Sequence, residues 1–246
     1  MTGTIRQQPS GFEMVETTKR LRRLSLICGI ISSILYFCTD MLGGLLWDNY
    51  DFTSQYISEL SAIGAPSRAF VISLYSVYNA LVAGFALGVW ESAGEKRALR
   101  ITGCLLIGYV VAGLVGLLFP MNPDEPTTAL TNTMHQIIAG VTVLVILLSL
   151  GFAATAFGKQ FRFYSLGTIL VYLLLGALPF LGVAQVEAGE ATPWVGLVER
   201  IMVYGYMLWV AVLTIALLRK DKRPSLTREA GLRHRANSNM DETETE

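Results

Sequence analysis

Charged side chains are scarce in this chain. Asp, Glu, Lys and Arg together make up 15% of its 246 residues, whereas hydrophobic residues make up 52%. This balance is typical of proteins that lie in a lipid bilayer, and it gives no reason to expect a nucleic-acid partner. We therefore expect membrane lipids to be the partners of the chain.

Histidine and cysteine are equally sparse. His135 is the one histidine outside the C-terminal tail, which excludes paired histidine ligands for a haem and three histidine ligands for zinc. Cys28, Cys38 and Cys104 lie in apolar runs without metal-ligand spacing, and G-x-S-x-G, P-loop and dinucleotide-binding motifs are missing. We expect no cofactor and no resident metal, although carboxylates together with His135 form a ligand set that a cation could use.

Six apolar runs approach the roughly 20 residues that a helix needs to cross the hydrocarbon layer. They cover residues 24–47, 69–90, 101–119, 135–157, 164–183 and 197–218. The sequence thus predicts an all-α, polytopic membrane protein with one six-helix bundle over residues 24–218. Residues 1–23 and 219–246 are predicted to be disordered tails. The first run is too long for the core of a cleavable signal peptide, so we expect it to stay as an anchor.

Lys and Arg are unevenly spread over the links between these runs. The N-terminal tail, the second link, the fourth link and the start of the C-terminal tail are basic. The first link has only Arg68, and the third and fifth links have neither Lys nor Arg. Because basic links stay on the cytoplasmic side, both termini are predicted to be cytoplasmic.

The first outer link contains the stretch YDFTSQYISELSAIGAPSR, residues 50–68, which has a helical pattern of its own. Its apolar residues recur at helical spacing and predict a short amphipathic helix over residues 53–62. Asp51 or Thr53 is expected to cap its start, and Gly64 suits the left-handed residue after its end. About 10 residues are too few to cross the membrane, so this helix should lie at the outer interface as a lid.

Ser58 and Glu59 are the polar candidates on the predicted lid. On a helical wheel Glu59 falls at the edge of the apolar face, from which it can reach inward, while Ser58 points the opposite way. The alternative is that Glu59 faces the outer water.

Asp40 is an acid inside the first predicted span. An ionisable group there costs about 2.5 to 3.5 kcal/mol on insertion scales, so it is expected to face the bundle interior, as Tyr36 does one turn earlier. Arg200, next to Glu199 near the outer end of the last span, can pair with Asp40 or hold a phosphate or carboxylate. For Asp40 itself, a structural hydrogen bond to a neighbouring hydroxyl is the alternative to a functional role.

His135 opens the fourth span at the water boundary, after the link FPMNPDEPTT, which includes Asp124. An imidazole in that place shuttles protons, binds a cation or serves as a hydrogen-bonding residue at a helix end. Asp124 is solvated in the purely structural interpretation.

Four short motifs follow one another along the chain. They are SEL in the first outer link, LLFP at the end of the third run, His135 at the start of the fourth run and ERIMVYGYMLW in the last run. In this order, over about residues 24–218, the chain resembles the bacterial and archaeal membrane family catalogued as domain of unknown function 998. The Ser-Glu stretch is also remotely similar to the eukaryotic autophagy modulators and glycolipid-anchor remodelling proteins, which implies at most a connection to lipids.

The family resemblance implies the cytoplasmic membrane of a prokaryote and points to five residues. These are Ser58, Glu59, Pro120, His135 and Arg200. Members of the family commonly have an acid two residues after the proline of FP, where this chain has Asn122. An amide does not supply that charge, so a metal or acid-base role there would require Asp124 instead.

Three hypotheses of function follow. The first is an outward-facing polar pocket beneath the lid that binds a lipid headgroup or a similar amphiphile through Asp40, Ser58, Glu59, His135 and Arg200, with Asp124, Glu199 and Tyr36 as secondary members. The second is hydrolysis or transfer on a lipid, with His135 as general base and Glu59 or Asp40 as its orienting partner or as a cation ligand. The third is proton-coupled transport through Asp40. The oligomeric state is left open.

Overall fold

The computed structural model describes residues 11–178, 182, 185 and 192–243, with side chains for residues 14–220 within those ranges. The elements whose bounds lie in these ranges are six α-helices and one 3-10 helix: α1 Gly11–Leu45, the 3-10 helix Ile57–Ser61, α2 Arg68–Glu91, α3 Arg97–Leu118, α4 Leu130–Ala156, α5 Lys159–Leu175 and α6 Val195–Thr243. No strand occurs in these described ranges, which confirms the all-α prediction.

Five helices are long and apolar enough to cross a membrane. They are α1 to α4 and the first part of α6, Val195–Lys220. Large aliphatic side chains such as Ile34, Leu118 and Leu144 are exposed on their outer faces, as expected of helices in contact with lipid. The predicted run over residues 164–183 coincides with α5 up to Leu175 and then extends into residues outside the described part. The chain is therefore a multi-pass membrane protein.

Helices reach into both predicted tails, because α1 begins at Gly11 and α6 continues to Thr243. The division of the chain into a bundle over residues 24–218 and disordered tails over residues 1–23 and 219–246 stays a prediction.

The helices pack in chain order around a ring. Each helix from α1 to α5 packs against the next, and α6 packs against both α5 and α1. By contrast, α4 and α6 have little direct contact. This arrangement leaves space in the middle of the bundle, and that space is where the candidate site lies.

Three hydrogen bonds that involve the links show which links lie at the same end of the ring. Ile63 N donates to Met121 O at 2.8 Å, which joins the first and third links. Leu197 N donates to Thr53 O at 3.0 Å, which brings the start of α6 to the first link. At the other end, Lys96 Nζ donates to Ala156 O at 2.7 Å and joins the second link to the end of α4.

The predicted lid is a five-residue 3-10 helix, Ile57–Ser61, rather than an α-helix over residues 53–62. The helix begins later than predicted for a local reason. Asp51 accepts hydrogen bonds from Thr53 N at 2.9 Å and from the hydroxyls of Thr53 and Ser54 at 2.7 Å. These bonds hold residues 51–54 in a turn. Gly64, with φ of 84°, has the left-handed conformation that we predicted.

Candidate functional site

Asp40 and Arg200 form a buried ion pair between α1 and α6. Arg200 Nε donates to Asp40 Oδ2 and Nη2 donates to Asp40 Oδ1, each at 3.0 Å, in a two-point geometry. The Tyr204 hydroxyl also donates to Asp40 Oδ2. The Asp40 side chain is fully buried and Arg200 is 5% exposed. Of the two roles predicted for Arg200, the structure forms the internal pair.

The remaining donors of Arg200 bind the first outer link. Nη1 donates to Phe52 O at 2.7 Å and to Gln55 O at 3.0 Å, and Nη2 donates to the Tyr50 hydroxyl at 2.7 Å. Every N–H group of the guanidinium therefore has an acceptor within the protein. We call Asp40, Arg200, Tyr204, Tyr50 and the two link carbonyls the Arg200 clamp. It holds the outer link onto α1 and α6, and it leaves no donor for an anionic ligand.

A separate cavity of about 300 Å³ lies in the centre of the ring. All six helices and the 3-10 helix contribute to its wall, with Ile57, Ser58 and Ser61 among the lining residues. Neither Asp40 nor Arg200 lines this cavity. The polar residues that we predicted to meet in one pocket are thus divided between the clamp and the cavity.

Five tyrosines from five different helices line the cavity. They are Tyr36, Tyr75, Tyr109, Tyr172 and Tyr206. The rings of Tyr36 and Tyr75 stack with centroids 5.3 Å apart, and those of Tyr109 and Tyr206 lie 5.5 Å apart. The Tyr172 hydroxyl donates to Met202 O at 3.0 Å. Most of the cavity wall around these rings is aliphatic, so a bound molecule would find an apolar enclosure with few polar groups.

Three buried polar atoms near the cavity have no hydrogen-bond partner among the described residues, and one of them is the hydroxyl of the lining residue Tyr75. The hydroxyl of Tyr206, a residue that is 2% exposed, has no partner among the described residues. The same holds for Oδ1 of Asn79, which lines a smaller cavity of about 120 Å³ that shares Tyr36, Tyr75 and Tyr109 with the larger one. Buried polar groups are usually satisfied, so these atoms mark places where a bound molecule or water would supply a partner.

Glu199 connects the cavity to its roof. It lies in the second turn of α6 and lines the cavity, and its Oε2 accepts a hydrogen bond from Ile57 N at 2.6 Å. This bond fixes the start of the 3-10 helix over the cavity. The second carboxylate oxygen, Oε1, has no hydrogen bond to the described residues.

The helical wheel predicted that Glu59 could reach inward and that Ser58 points away, but the structure shows the reverse. Ser58 lines the cavity, whereas Glu59 caps its own 3-10 helix, with Oε1 accepting from Tyr56 N and Oε2 accepting from Gln55 Nε2, both at 2.9 Å. The wheel assumed one helix from residue 53 at 100° per residue, but the helix begins at Ile57, turns about 120° per residue and buries Ile57 and Leu60, so its inner face differs from the predicted one. Glu59 therefore stabilises the roof and does not line the cavity.

His135 lines the cavity from the start of α4. Its Nδ1 lies 3.1 Å from Phe119 O, and because a carbonyl only accepts, Nδ1 carries the proton of this bond. In the neutral ring, Nε2 is then the acceptor nitrogen. Asp124 lies apart from this arrangement. It is exposed in the third link, and its backbone N donates to Asn122 Oδ1 at 3.2 Å.

The third link is held by the side-chain amide of Asn132. Asn132 Oδ1 accepts from Asn122 N at 2.8 Å, and Asn132 Nδ2 donates to Asn122 O at 2.9 Å. Asp124 does not take the place of the missing acid at the cavity, because it does not line it. Among the residues that the structure describes, no three His, Cys, Asp or Glu side chains are grouped so that they could hold a metal ion.

Sequence reasoning predicted part of this wall. Ser58, His135, Glu199 and Tyr36 were candidates, but Tyr75, Tyr109, Tyr172 and Tyr206 were not. The available signal was a phenolic hydroxyl inside an apolar run, since such a group needs either a partner or access to an interface. That signal does not say whether a tyrosine faces lipid, a neighbouring helix or a cavity.

The family comparison agrees with the resemblance seen in the motifs. A family profile described as a protein of unknown function (DUF998) matches residues 30–216. The chain belongs to this family. The matched range of this DUF998 protein includes the whole Arg200 clamp and all residues that line the cavity. No curated protein and no solved structure matches the chain.

Proposed function

We propose that this DUF998 protein binds the polar headgroup of a lipid or a similar amphiphile in the central cavity. The observation that carries the proposal is the cavity itself. It measures about 300 Å³, lies inside a ring of membrane-spanning helices and combines an aliphatic and aromatic wall with Ser58, His135 and Glu199. Such a mixture suits a ligand that is apolar over most of its surface and polar at a few points.

The proposal assigns different roles to the two groups of polar residues. Ser58, His135, Glu199 and Tyr206 would contact the headgroup. Asp40 and Arg200 would act indirectly, since the clamp holds the outer link in place over the cavity.

We further propose six spans, with both termini on the cytoplasmic side of a prokaryotic cytoplasmic membrane. The basic second and fourth links lie at one end of the ring, as the bond from Lys96 to Ala156 indicates. The first and third links, with a single cation between them, lie together through the bond from Ile63 to Met121. This separation supports a basic cytoplasmic end and an outer cavity roof. To test this orientation, a single cysteine or a protease site would be introduced at residue 2 or in the third link. Labelling or cleavage of both positions from the same side of the membrane would overturn it.

Filling the cavity tests the binding proposal. Ala139 lines the cavity, so Ala139→Phe would place a ring in the space that the headgroup needs. We expect the affinity for the co-purified lipid to fall at least about tenfold, which corresponds to about 1.4 kcal/mol of lost binding free energy and lowers the lipid occupancy. Native mass spectrometry of the protein released from a nonionic detergent measures this occupancy.

Ala80→Phe is the matched control, because Ala80 is exposed on α2 and does not line the cavity. Its lipid occupancy should equal that of the wild type. Equal occupancy in Ala139→Phe and the wild type, or a wild type that retains no lipid, would contradict the proposal.

Catalysis on the bound lipid is a second candidate, favoured by the hydrogen bond that orients His135. With Nδ1 held by Phe119 O, Nε2 is available as a base in a cavity that Ser58 also lines. A strain with His135→Ala is then expected to accumulate the same unprocessed lipid as a deletion strain, as measured by comparative lipidomics. If the deletion changes the lipids and His135→Ala does not, His135 is not a catalytic base.

Proton-coupled transport through Asp40 stays a prediction, since that carboxylate is bonded to Arg200 and Tyr204.

A further inference from the structure

We infer that the headgroup in the central cavity carries a positively charged nitrogen, a primary ammonium or a quaternary ammonium, held between the Glu199 carboxylate and the surrounding tyrosine rings. This inference rests on the proposed amphiphile binding and specifies its ligand.

The charge of the wall is the first argument. Glu199 is the one carboxylate among the described residues that line the cavity, and no Lys or Arg lines it. The nearby guanidinium of Arg200 has all its N–H groups bound to the clamp. A phosphate or carboxylate in the cavity would therefore meet no Lys or Arg, only the imidazole of His135, and would lie beside an acid, which is costly in a low-dielectric enclosure.

The aromatic wall is the second argument. The faces of tyrosine rings are electronegative, and several rings around one carboxylate form the kind of enclosure that recognises ammonium groups. Here the tyrosines come from α1, α2, α3, α5 and α6, so the rings surround the cavity rather than lining one side of it. The stacking of Tyr36 on Tyr75 keeps two of these rings in fixed positions.

The free acceptors are the third argument. Glu199 uses only Oε2 for Ile57 N, and the buried hydroxyl of Tyr206 has no partner among the described residues. A primary ammonium has three N–H groups that can donate to such acceptors, whereas a quaternary ammonium has none and would be held by the charge and the rings. The volume of about 300 Å³ lies at the lower end of the range for small-molecule sites, which suits a headgroup. The acyl chains would then lie between the helices or in the surrounding lipid.

Small water-soluble probes test the charge preference without partitioning into detergent. We would titrate tetramethylammonium, ethylammonium, neutral tert-butanol and anionic dimethyl phosphate into the full-length protein by calorimetry, at constant ionic strength. The wild type is expected to bind at least one of the two cations at least about tenfold more tightly than the neutral and anionic probes, as desolvated cation–π and charge contacts predict. Tighter binding of ethylammonium indicates a primary amine headgroup, and tighter binding of tetramethylammonium indicates a quaternary one.

Glu199→Gln is the decisive variant. It keeps a carbonyl oxygen for Ile57 N and nearly the same size, but it removes the charge, so the affinity for the cation should fall at least about tenfold. Tyr206→Leu should also weaken both cations, whereas Tyr206→Phe should weaken ethylammonium more than tetramethylammonium. Asp124→Asn removes an exposed carboxylate outside the cavity and serves as the charge-matched control. Thermal unfolding of each variant checks that it is folded.

Three results would overturn the inference: dimethyl phosphate or tert-butanol binding as tightly as the cations, no binding of any probe, or an unchanged cation affinity in Glu199→Gln. Failure of the broader proposal looks different. If Ala139→Phe loses its lipid while Glu199→Gln keeps it, the cavity binds an amphiphile whose headgroup is not cationic. If Ala139→Phe retains its lipid, amphiphile binding in the cavity is itself wrong.

Discussion

Arg200→Met is expected to lower the free energy of unfolding by about 3–5 kcal/mol, the range measured when one partner of a buried ion pair is removed. The fully buried Asp40 carboxylate would keep the bond from Tyr204 but lose both bonds from the guanidinium. The outer link would lose its three bonds to Arg200 as well. Thermal unfolding of the purified protein in a nonionic detergent measures the effect.

Arg219→Met is the matched control for this experiment. Arg219 lies on the same helix and is exposed, so its loss should change stability by no more than about 0.5 kcal/mol. Combining Asp40→Asn with Arg200→Met removes both charges and should recover at least about 1 kcal/mol relative to Arg200→Met alone. Wild-type stability in Arg200→Met would show that the clamp does not hold the outer link.

The ion pair was accessible to sequence reasoning because the membrane leaves few options for a charge. Asp40 and Arg200 are far apart in the chain, yet each is costly to place alone in an apolar surrounding, so pairing was the leading alternative. The bonds from Arg200 to the carbonyls of Phe52 and Gln55 were not accessible. Every residue has a carbonyl, so these acceptors leave no signature in the sequence.

The roof shows where a periodicity argument fails. The apolar spacing correctly indicated a short helix between Asp51 and Gly64, and the left-handed Gly64 agreed with its end. The start and the type of the helix were wrong, however, and Ser58 and Glu59 exchanged roles. The helix begins at Ile57 instead of residue 53, so the residues before Ile57 that helped to define the predicted apolar face are not part of it, and the turn per residue differs by about 20° as well.

The apolar runs indicated membrane-spanning helices, of which five are found in the described part of the chain, but they did not indicate how the helices are arranged. Lipid is as apolar as the side chains of these helices, so hydrophobicity alone does not say which face of a helix is turned inward. The ring, and with it the meeting of tyrosines from five helices, depends on packing that the sequence does not display. For the same reason, Glu199 and Arg200 were predicted together, although one lines the cavity and the other forms the clamp.

The close contact between α6 and the outer link leads to a second strong prediction, at Gly196. A Cβ on this residue would lie 2.8 Å from Phe52 O and 2.9 Å from Arg200 Nη1, and closer still to Gln55 O. Two of these atoms belong to the backbone, which has little freedom to move while the clamp holds it. Gly196→Ala is therefore expected to push the link away from α6 and to cost about 1–3 kcal/mol of stability, as overpacking does elsewhere.

Gly205→Ala separates this steric effect from helix propensity. Gly205 lies on the same helix, and no atom lies within 4 Å of the position of its Cβ. Alanine favours a helix by up to about 1 kcal/mol over glycine, so this control should unfold at the same temperature as the wild type or higher. The same propensity gain acts at Gly196, and a net loss there means that the contact with the link outweighs it. Equal thermal stability of the two alanine variants would show that the outer link does not press against α6, and the clamp would then lose its role as the support of the cavity roof.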